Sequence, residues 1–333
     1  MSNPMPTATT LNSTKHQRIN IMEKLGDYWT LCVLVVIILV FGILAPSFFS
    51  AFNFLSTTTS ATEILLLAIG ETFVIITSGI DLSVGAVLGL SGITAGMAMQ
   101  ALGNDALSLI VGILVGLLTG LIFGLVNGFV VAKMNITPFI ATLGTMGIAS
   151  GITFLLSNGA DITALPTPLT SFGSGNIASF ISYPVIVTAL LCVISGIALA
   201  KSRFGVHTYA IGSNQEAARR TGINVPRHII KIYGISGLMA GASGIIVAAR
   251  FASASPISGQ NDELNAIAAV VIGGASLFGG RGNILGTVVG SIIIAVLASG
   301  LVIVNVQAYW QTVAVGMIII AAVFVEQLRH RNK

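Results

Sequence analysis

Charge is scarce in this chain: Asp, Glu, Lys and Arg make up 8% of its 333 residues, against 54% hydrophobic ones. Soluble domains carry about 25% charged residues. Too little polar surface is left to cover a soluble 34.3 kDa core, so the composition points to a polytopic membrane protein. Cysteine is scarce too. Cys32 and Cys192 both lie inside apolar runs, which argues against a disulfide framework and reads as two buried free thiols. No G-x-x-x-x-G-K-S/T occurs, so the chain has no P-loop to cradle ATP phosphates. No His/Cys cluster has metal-ligand spacing. Gly173-Ser174-Gly175 lies in a polar stretch without an oxyanion loop. Gly280-Arg281-Gly282 with Gly286 has the wrong spacing for a dinucleotide fingerprint. Nothing marks an enzyme, and no cofactor is expected in this chain. The net charge of +4 is better explained by loops on one side of a membrane than by a nucleic-acid surface.

Long apolar runs fill the rest. Ten candidate spans are read, at about 29–48, 61–79, 82–101, 107–132, 137–157, 183–200, 229–249, 263–278, 283–304 and 307–325. Each is near the roughly 20 residues of a spanning helix, the eighth being short. The expected fold is all-α: one transmembrane bundle over 29–325, between a polar tail at 1–28, its first part disordered, and a short tail at 326–333. The basic flank before the first run reads as an uncleaved anchor with a cytoplasmic N-terminus. Ten crossings then return the C-terminus to the cytoplasm. On this topology Lys133, the central loop, Arg281 and both tails are cytoplasmic, and only Arg250 is outside. Lys and Arg bias loops to the cytoplasm, so the pattern supports the count. Re-entrant hairpins at the short turns 79–82 and 279–282 stay open.

Gly112, Gly116, Gly120, Gly124 and Gly128 recur at a period of four in the fourth span. Such a stripe lets helix backbones approach in lipid, and tight packing is the expected role rather than a substrate groove. The stretches 77–89 and 273–286 resemble each other faintly as glycine-broken turns, of the kind found near transport paths. The outer loop 158–182 is either a docking surface for an extracytoplasmic partner or a plain connector.

Few ionisable groups lie in the spans. Glu71, near the middle of the second, would cost about 2.5–3.5 kcal/mol if charged. It stands either on a substrate or proton path or as a neutral carboxyl bonded to another helix. Asp81, between Ser78 and Ser83, either caps the third span's helix or has a gating role. Asn127, Thr142, Asn265 and Gln307 are interhelical glue or solute contacts.

The chain turns on its central loop, 201–228, which with the adjoining Lys231 carries Lys201, Arg203, Arg219, Arg220, Arg227 and Lys231. Within it Glu216-Ala217-Ala218-Arg219-Arg220 reads as a short helix ended near Gly222, capped by Ser213 or Asn214 and braced by Glu216 one turn from Arg219 and Arg220. A short charged helix held out from a membrane bundle suits the cleft of a soluble subunit; the alternative is a solvated loop.

E-A-A, three residues and then Gly222 resembles the coupling motif of ATP-binding-cassette importer permeases. Gly234-Ile235 stands where the maltose-type permeases carry Leu-Pro. The stretches 77–85, 209–225 and 262–290 are instead similar to ribose-type sugar permeases, and the resemblance runs from about 30 to 325. Glu71 departs from that family, where an uncharged residue is expected. The resemblance implies a bacterial inner-membrane channel of two permease copies importing a pentose or hexose. A tandem-domain ATPase, with ATP and Mg, would dock on Asn214, Glu216, Ala217, Ala218, Arg219, Arg220 and Gly222, and a periplasmic sugar-binding protein would deliver the solute. Candidates for path or gate are Glu71, Ser78, Asp81, Ser83, Asn127 and Asn265. Two other readings stay open: a proton-coupled secondary transporter using Glu71 and Asp81, and a membrane component that only binds a partner.

Overall fold

A computed structural model describes residues 29–331 except 104, 178, 179 and 308, with backbone only at 322, 323 and 325–331. The tail 1–28 and residues 332 and 333 lie outside it. The first helix, α1, is Trp29–Leu44. After a 3-10 turn at Pro46–Phe49 come α2 (Ala51–Ile76), α3 (Val84–Ala101), α4 (Ala106–Lys133) and α5 (Pro138–Ser157). Then follow α6 (Thr167–Ser174), a two-residue hairpin, α7 (Tyr183–Lys201), α8 (Arg203–Ser213) and α9 (Gln215–Arg220). The chain closes with α10 (Val225–Phe251), α11 (Asp262–Ile272), α12 (Ile284–Ile303) and α13 (Tyr309–Arg331). Starts are set locally: Asp105 caps α4 by accepting Ser108 N–H at 2.8 Å, Asn283 caps α12 through Gly286 N–H at 2.7 Å, and Pro138, Pro184 and Pro226 occupy first turns.

The all-α membrane bundle is borne out. Among the described residues seven helices, α2, α3, α4, α5, α7, α10 and α12, are long and apolar enough to cross a bilayer. The eighth expected span is shorter than read. Its helix, α11, has 11 residues, about 17 Å or half of a roughly 30 Å hydrocarbon core. The run of Gly273, Gly274, Gly279, Gly280 and Gly282, four of them at positive φ, ends it. The second helix starts at Ala51, ten residues before the expected 61, so Glu71 sits five residues from its C-terminus rather than mid-span. Both cysteines are free, as expected, but Cys32 is exposed and Cys192 only half-buried.

The glycine stripe packs helices. α10 is the hub, 83% of its apolar window being buried against 22% for α4. A Cβ at Gly120 would meet the Gly237 carbonyl and Gly241, one at Gly124 the Tyr233 carbonyl, and one at Gly112 Met99 of α3. The backbones of α4 and α10 therefore touch, as the period of four requires.

Contacts define two ends. At one, Gly280 N–H donates to the Ile76 carbonyl (2.8 Å), Ser78 Oγ to the Phe278 carbonyl (2.9 Å) and Tyr209 OH to the Gly282 carbonyl (2.7 Å). At the other, Ile162 pairs with Ala254 and Thr59 Oγ1 bonds Ser182 Oγ at 2.8 Å. Lys133, Lys201, Arg203, Arg219, Arg220, Arg227, Lys231 and Arg281 all belong to the first, basic end. Arg250 stands at the opposite end, paired with Glu63 at 3.4 Å and Ser60 at 3.0 Å. The stretch 158–182 at that end is not a loose loop: α6 buries Leu169 and Gly173, and Gly173 lies against the Ala249 carbonyl.

Two non-helical stretches enter the bundle from opposite ends. From the basic end, 77–83 doubles back along α2. From the other, 252–259 runs down α3, with Ala254 beside Gly92, Ser258 beside Gly89 and Gly259 beside Gly85. Irregular backbone is tolerated at such depth only when protein surrounds it. Gly85 and Gly259 let the two stretches meet at the first turn of α3.

Candidate functional site

The basic end carries a helical arm. Ser202 breaks the chain between α7 and α8, and Asn214 breaks it again and caps α9, its Oδ1 accepting Ala217 N–H at 2.9 Å. Gly222, at φ +89, ends the arm where a left-handed residue is needed. The expected short helix is thus present, with Asn214 as its cap, preceded by the unexpected α8. Ala218 alone of α9 is buried; it packs with Ile211 and Val225 and fixes the helix to the bundle. Glu216 and Arg220 face outward and pair at 3.5 Å, their side chains 65% and 80% exposed. Gly212 lies against the Ile76 carbonyl, so the arm touches the start of the 77–83 turn. A cleft of about 350 Å³ runs from Gln215 and Arg219 past Asn135 to Thr77, Ser78 and Gly79.

Inside the turn lies a polar network. Asp81 is buried and Oδ1 accepts from Ser83 Oγ (2.7 Å), Ser83 N–H (3.1 Å) and Asn127 Nδ2 (3.3 Å). Its Oδ2 accepts from Ser236 Oγ at 3.0 Å. Asn127 Nδ2 also donates to Ser83 Oγ (2.8 Å), and its Oδ1 accepts from Thr145 Oγ1 (2.6 Å). Thr142 Oγ1 reaches the Ile80 carbonyl at 3.3 Å. Four elements, the turn before α3 and helices α4, α5 and α10, are therefore tied at one carboxylate. Asp81 does not cap α3 itself: Ser83 is the N-cap and has no side-chain cap bond, and Asp81 holds the Ser83 N–H one residue before the helix. Asn127 and Thr142 do bridge elements. Ser236 is level with Gly70 of α2, so Asp81 lies about 9 Å inside the basic end.

Of the sequence candidates, the structure brings together Asp81, Ser83 and Asn127, with Glu71 close by. Neither Glu71 oxygen has a hydrogen-bond partner among the described residues, and the carboxylates of Asp81 and Glu263 are near enough to act on it electrostatically. Ser78 stands apart at the exposed mouth of the turn, in the left-handed conformation (φ 63). Asn265 is separate too: it bonds Asp262 of its own helix at 3.1 Å instead of bridging helices. Sequence reasoning missed Thr145 and Ser236, small polar residues in small-residue helices, and Glu63, whose partner Arg250 is far away in the chain.

The family described as branched-chain amino acid transport system, permease component, matches residues 53–323. The chain belongs to this permease family. The permease is 42% identical over 320 residues to the ribose import permease protein RbsC of Bacillus subtilis, covering 94% of this chain and 97% of that one. It is 37% identical over 302 residues to the D-allose transport system permease protein AlsC of Escherichia coli, covering 90% and 91%. With the galactose/methyl galactoside import permease protein MglC of Haemophilus influenzae it shares 35% identity over 333 residues, covering 96% and 98%. The expected likeness to ribose-type sugar permeases is borne out by these relatives. No solved structure matches the permease.

Proposed function

We propose that the chain is the membrane subunit of an ATP-driven importer of a monosaccharide, in the inner membrane of a bacterium, with its basic end and both termini in the cytoplasm. The observation that carries the coupling part is α9: an exposed, charged helix fixed by the single buried Ala218 and joined through Gly212 to the 77–83 turn. A cytoplasmic ATPase, tandem in its domains, docks on Asn214, Glu216, Ala217, Ala218, Arg219, Arg220 and Gly222, and ATP and Mg are bound there rather than on this chain. Two permease copies form the channel, and an extracytoplasmic sugar-binding protein feeds it. The names of the relatives, which specify ribose, allose and galactose, support the substrate class. The basic residues gathered at one end support the orientation. ATP-driven displacement of α9 moves the turn holding Ser78, Asp81 and Ser83 against Asn127 and opens or closes the path, on which Glu71 and Asn265 are further candidates.

Uptake and ATP hydrolysis in reconstituted vesicles test this. Glu216→Lys is expected to abolish uptake while the chain stays in the membrane; normal uptake by that variant sinks the coupling role. A second reading has one observation in its favour, the unbonded Glu71 beside Asp81, and makes the chain a proton-coupled transporter. Uptake that needs ATP and survives collapse of the proton gradient excludes it.

A further inference from the structure

A cavity of about 270 Å³ opens between α2, α11, α12 and α13. Its depth follows from three helices that share the basic end: Asn261 precedes the 11-residue α11, Ile64 lies twelve residues above Ile76, and Leu297 thirteen above Ile284. At 1.5 Å per residue each stands about 17–20 Å from that end, just past the middle of a roughly 30 Å core. The wall pairs aliphatic surface from Ile64 and Leu297 with the side chains of Gln260, Asn261, Asn265, Gln311 and Thr312. Among the described residues no Asp, Glu, Lys or Arg lines it. Asn265 gives one side-chain N–H to Asp262, and among the described residues the side-chain amides of Gln260 and Gln311 have no hydrogen-bond partner. Amides at this depth with no protein partner must meet water or a polar solute, since hydrocarbon leaves them unpaired. A carboxamide offers a donor pair and an acceptor side by side, which neighbouring hydroxyls match. The volume falls just under the roughly 300–1,000 Å³ of pockets for larger ligands.

We propose that this cavity is a binding site within the membrane for an uncharged, polyhydroxylated solute of monosaccharide size, held by the amides of Asn265, Gln311, Gln260 and Asn261 against the aliphatic wall. This rests on the importer reading. The site is distinct from the Asp81 network, whose polar atoms are taken up by one another.

The test uses vesicles holding the permease with its ATPase and binding protein, and radiolabelled ribose, allose, galactose and fructose. Gln311→Leu removes a side-chain amide that has no hydrogen-bond partner among the described residues. Ala298→Phe fills the cavity from α12. Each is expected to lower uptake about tenfold, the factor for one lost hydrogen bond of the stronger kind, while hydrolysis stimulated by the binding protein persists, so more ATP is used per sugar moved. Wild-type uptake by both variants overturns the site and leaves the importer reading standing. Wild-type vesicles that import none of the four sugars on ATP overturn the importer reading and the site with it. If Ala298→Phe fails to fold, Gln311→Leu decides alone.

Discussion

Asp81 and Glu216 are two carboxylates of one chain in opposite circumstances. Asp81 is 1% exposed and its oxygens accept four hydrogen bonds. Glu216 is 65% exposed in its side chain and meets one partner, Arg220, in the same short helix. Burial makes the first acid a structural joint: its loss strands donors of three elements where water cannot replace it. Exposure makes the second nearly irrelevant to the fold, because a solvated pair of this kind contributes about 0.3–0.5 kcal/mol. An acid that the fold does not need is free to be read by another chain.

The comparison is broken most forcefully at Asp81. Asp81→Ala removes the four hydrogen bonds it accepts, two from Ser83 and one each from Asn127 and Ser236, at about 1 kcal/mol each. We expect a loss of at least ~3 kcal/mol, seen as a lower melting temperature in detergent and poor recovery from the membrane. Asp81→Asn keeps the shape, since its Oδ1 accepts the same bonds and its amide can donate to Ser236, and should melt close to wild type. If alanine is tolerated as well as asparagine, the network does not hold the bundle together. The next largest effect belongs to Arg250. Arg250→Met leaves Glu63, 17% exposed, without its cation. Partial solvent access reduces the usual penalty of a broken buried pair, and a loss of about 2 kcal/mol is expected in the same melt. Unchanged melting would mean the pair is solvated in the membrane.

How much of this was legible in the sequence follows the same divide. Most of the spans, the close packing of the α4 glycine stripe and the α9 helix are readable because each depends on local pattern: apolar length, a glycine period of four, and Asn214 and Gly222 placed as cap and stop. The short α11 was misjudged because the apolar run continues through Val271-Ile272 into Ala275 and Leu277, while positive-φ glycines end the helix first. The descent of 252–259 along α3 was hidden because depth depends on what lies opposite. Gly85 and Gly89 make room for that backbone, and their spacing alone reads as ordinary helix packing. Ser236 and Thr145 were missed for a similar reason. A serine in a small-residue helix gains meaning only when the turn before α3 brings Asp81 to it.

Glu71 sharpens the comparison from inside. It is as buried as Asp81, yet among the described residues its carboxyl oxygens have no hydrogen-bond partner. Removing an unpaired polar group releases its desolvation cost, of order 1 kcal/mol or more. Glu71→Leu is therefore expected to raise stability by about 1 kcal/mol, against the loss from Asp81→Ala, and to leave ATP-driven uptake intact. A stable Glu71→Leu protein with no uptake would put this acid on the transport path and favour proton coupling.

The smallest effect on stability carries the clearest functional contrast. Exchanging the charges of α9 in Glu216→Arg/Arg220→Glu keeps an i,i+4 pair but orients it against the helix dipole, at a cost of a few tenths of a kcal/mol. The melting temperature should stay within error of wild type. If the pair mattered only by bracing the helix, uptake would survive the exchange. If Glu216 is read by a cationic group on the ATPase, the exchange places an arginine against it and uptake is lost, although the helix, its Asn214 cap and the buried Ala218 are untouched. We expect that loss. Full uptake by the exchanged protein would return Glu216 to the role of a helix brace and shift the docking contact to Arg219, which lines the cleft toward the 77–83 turn.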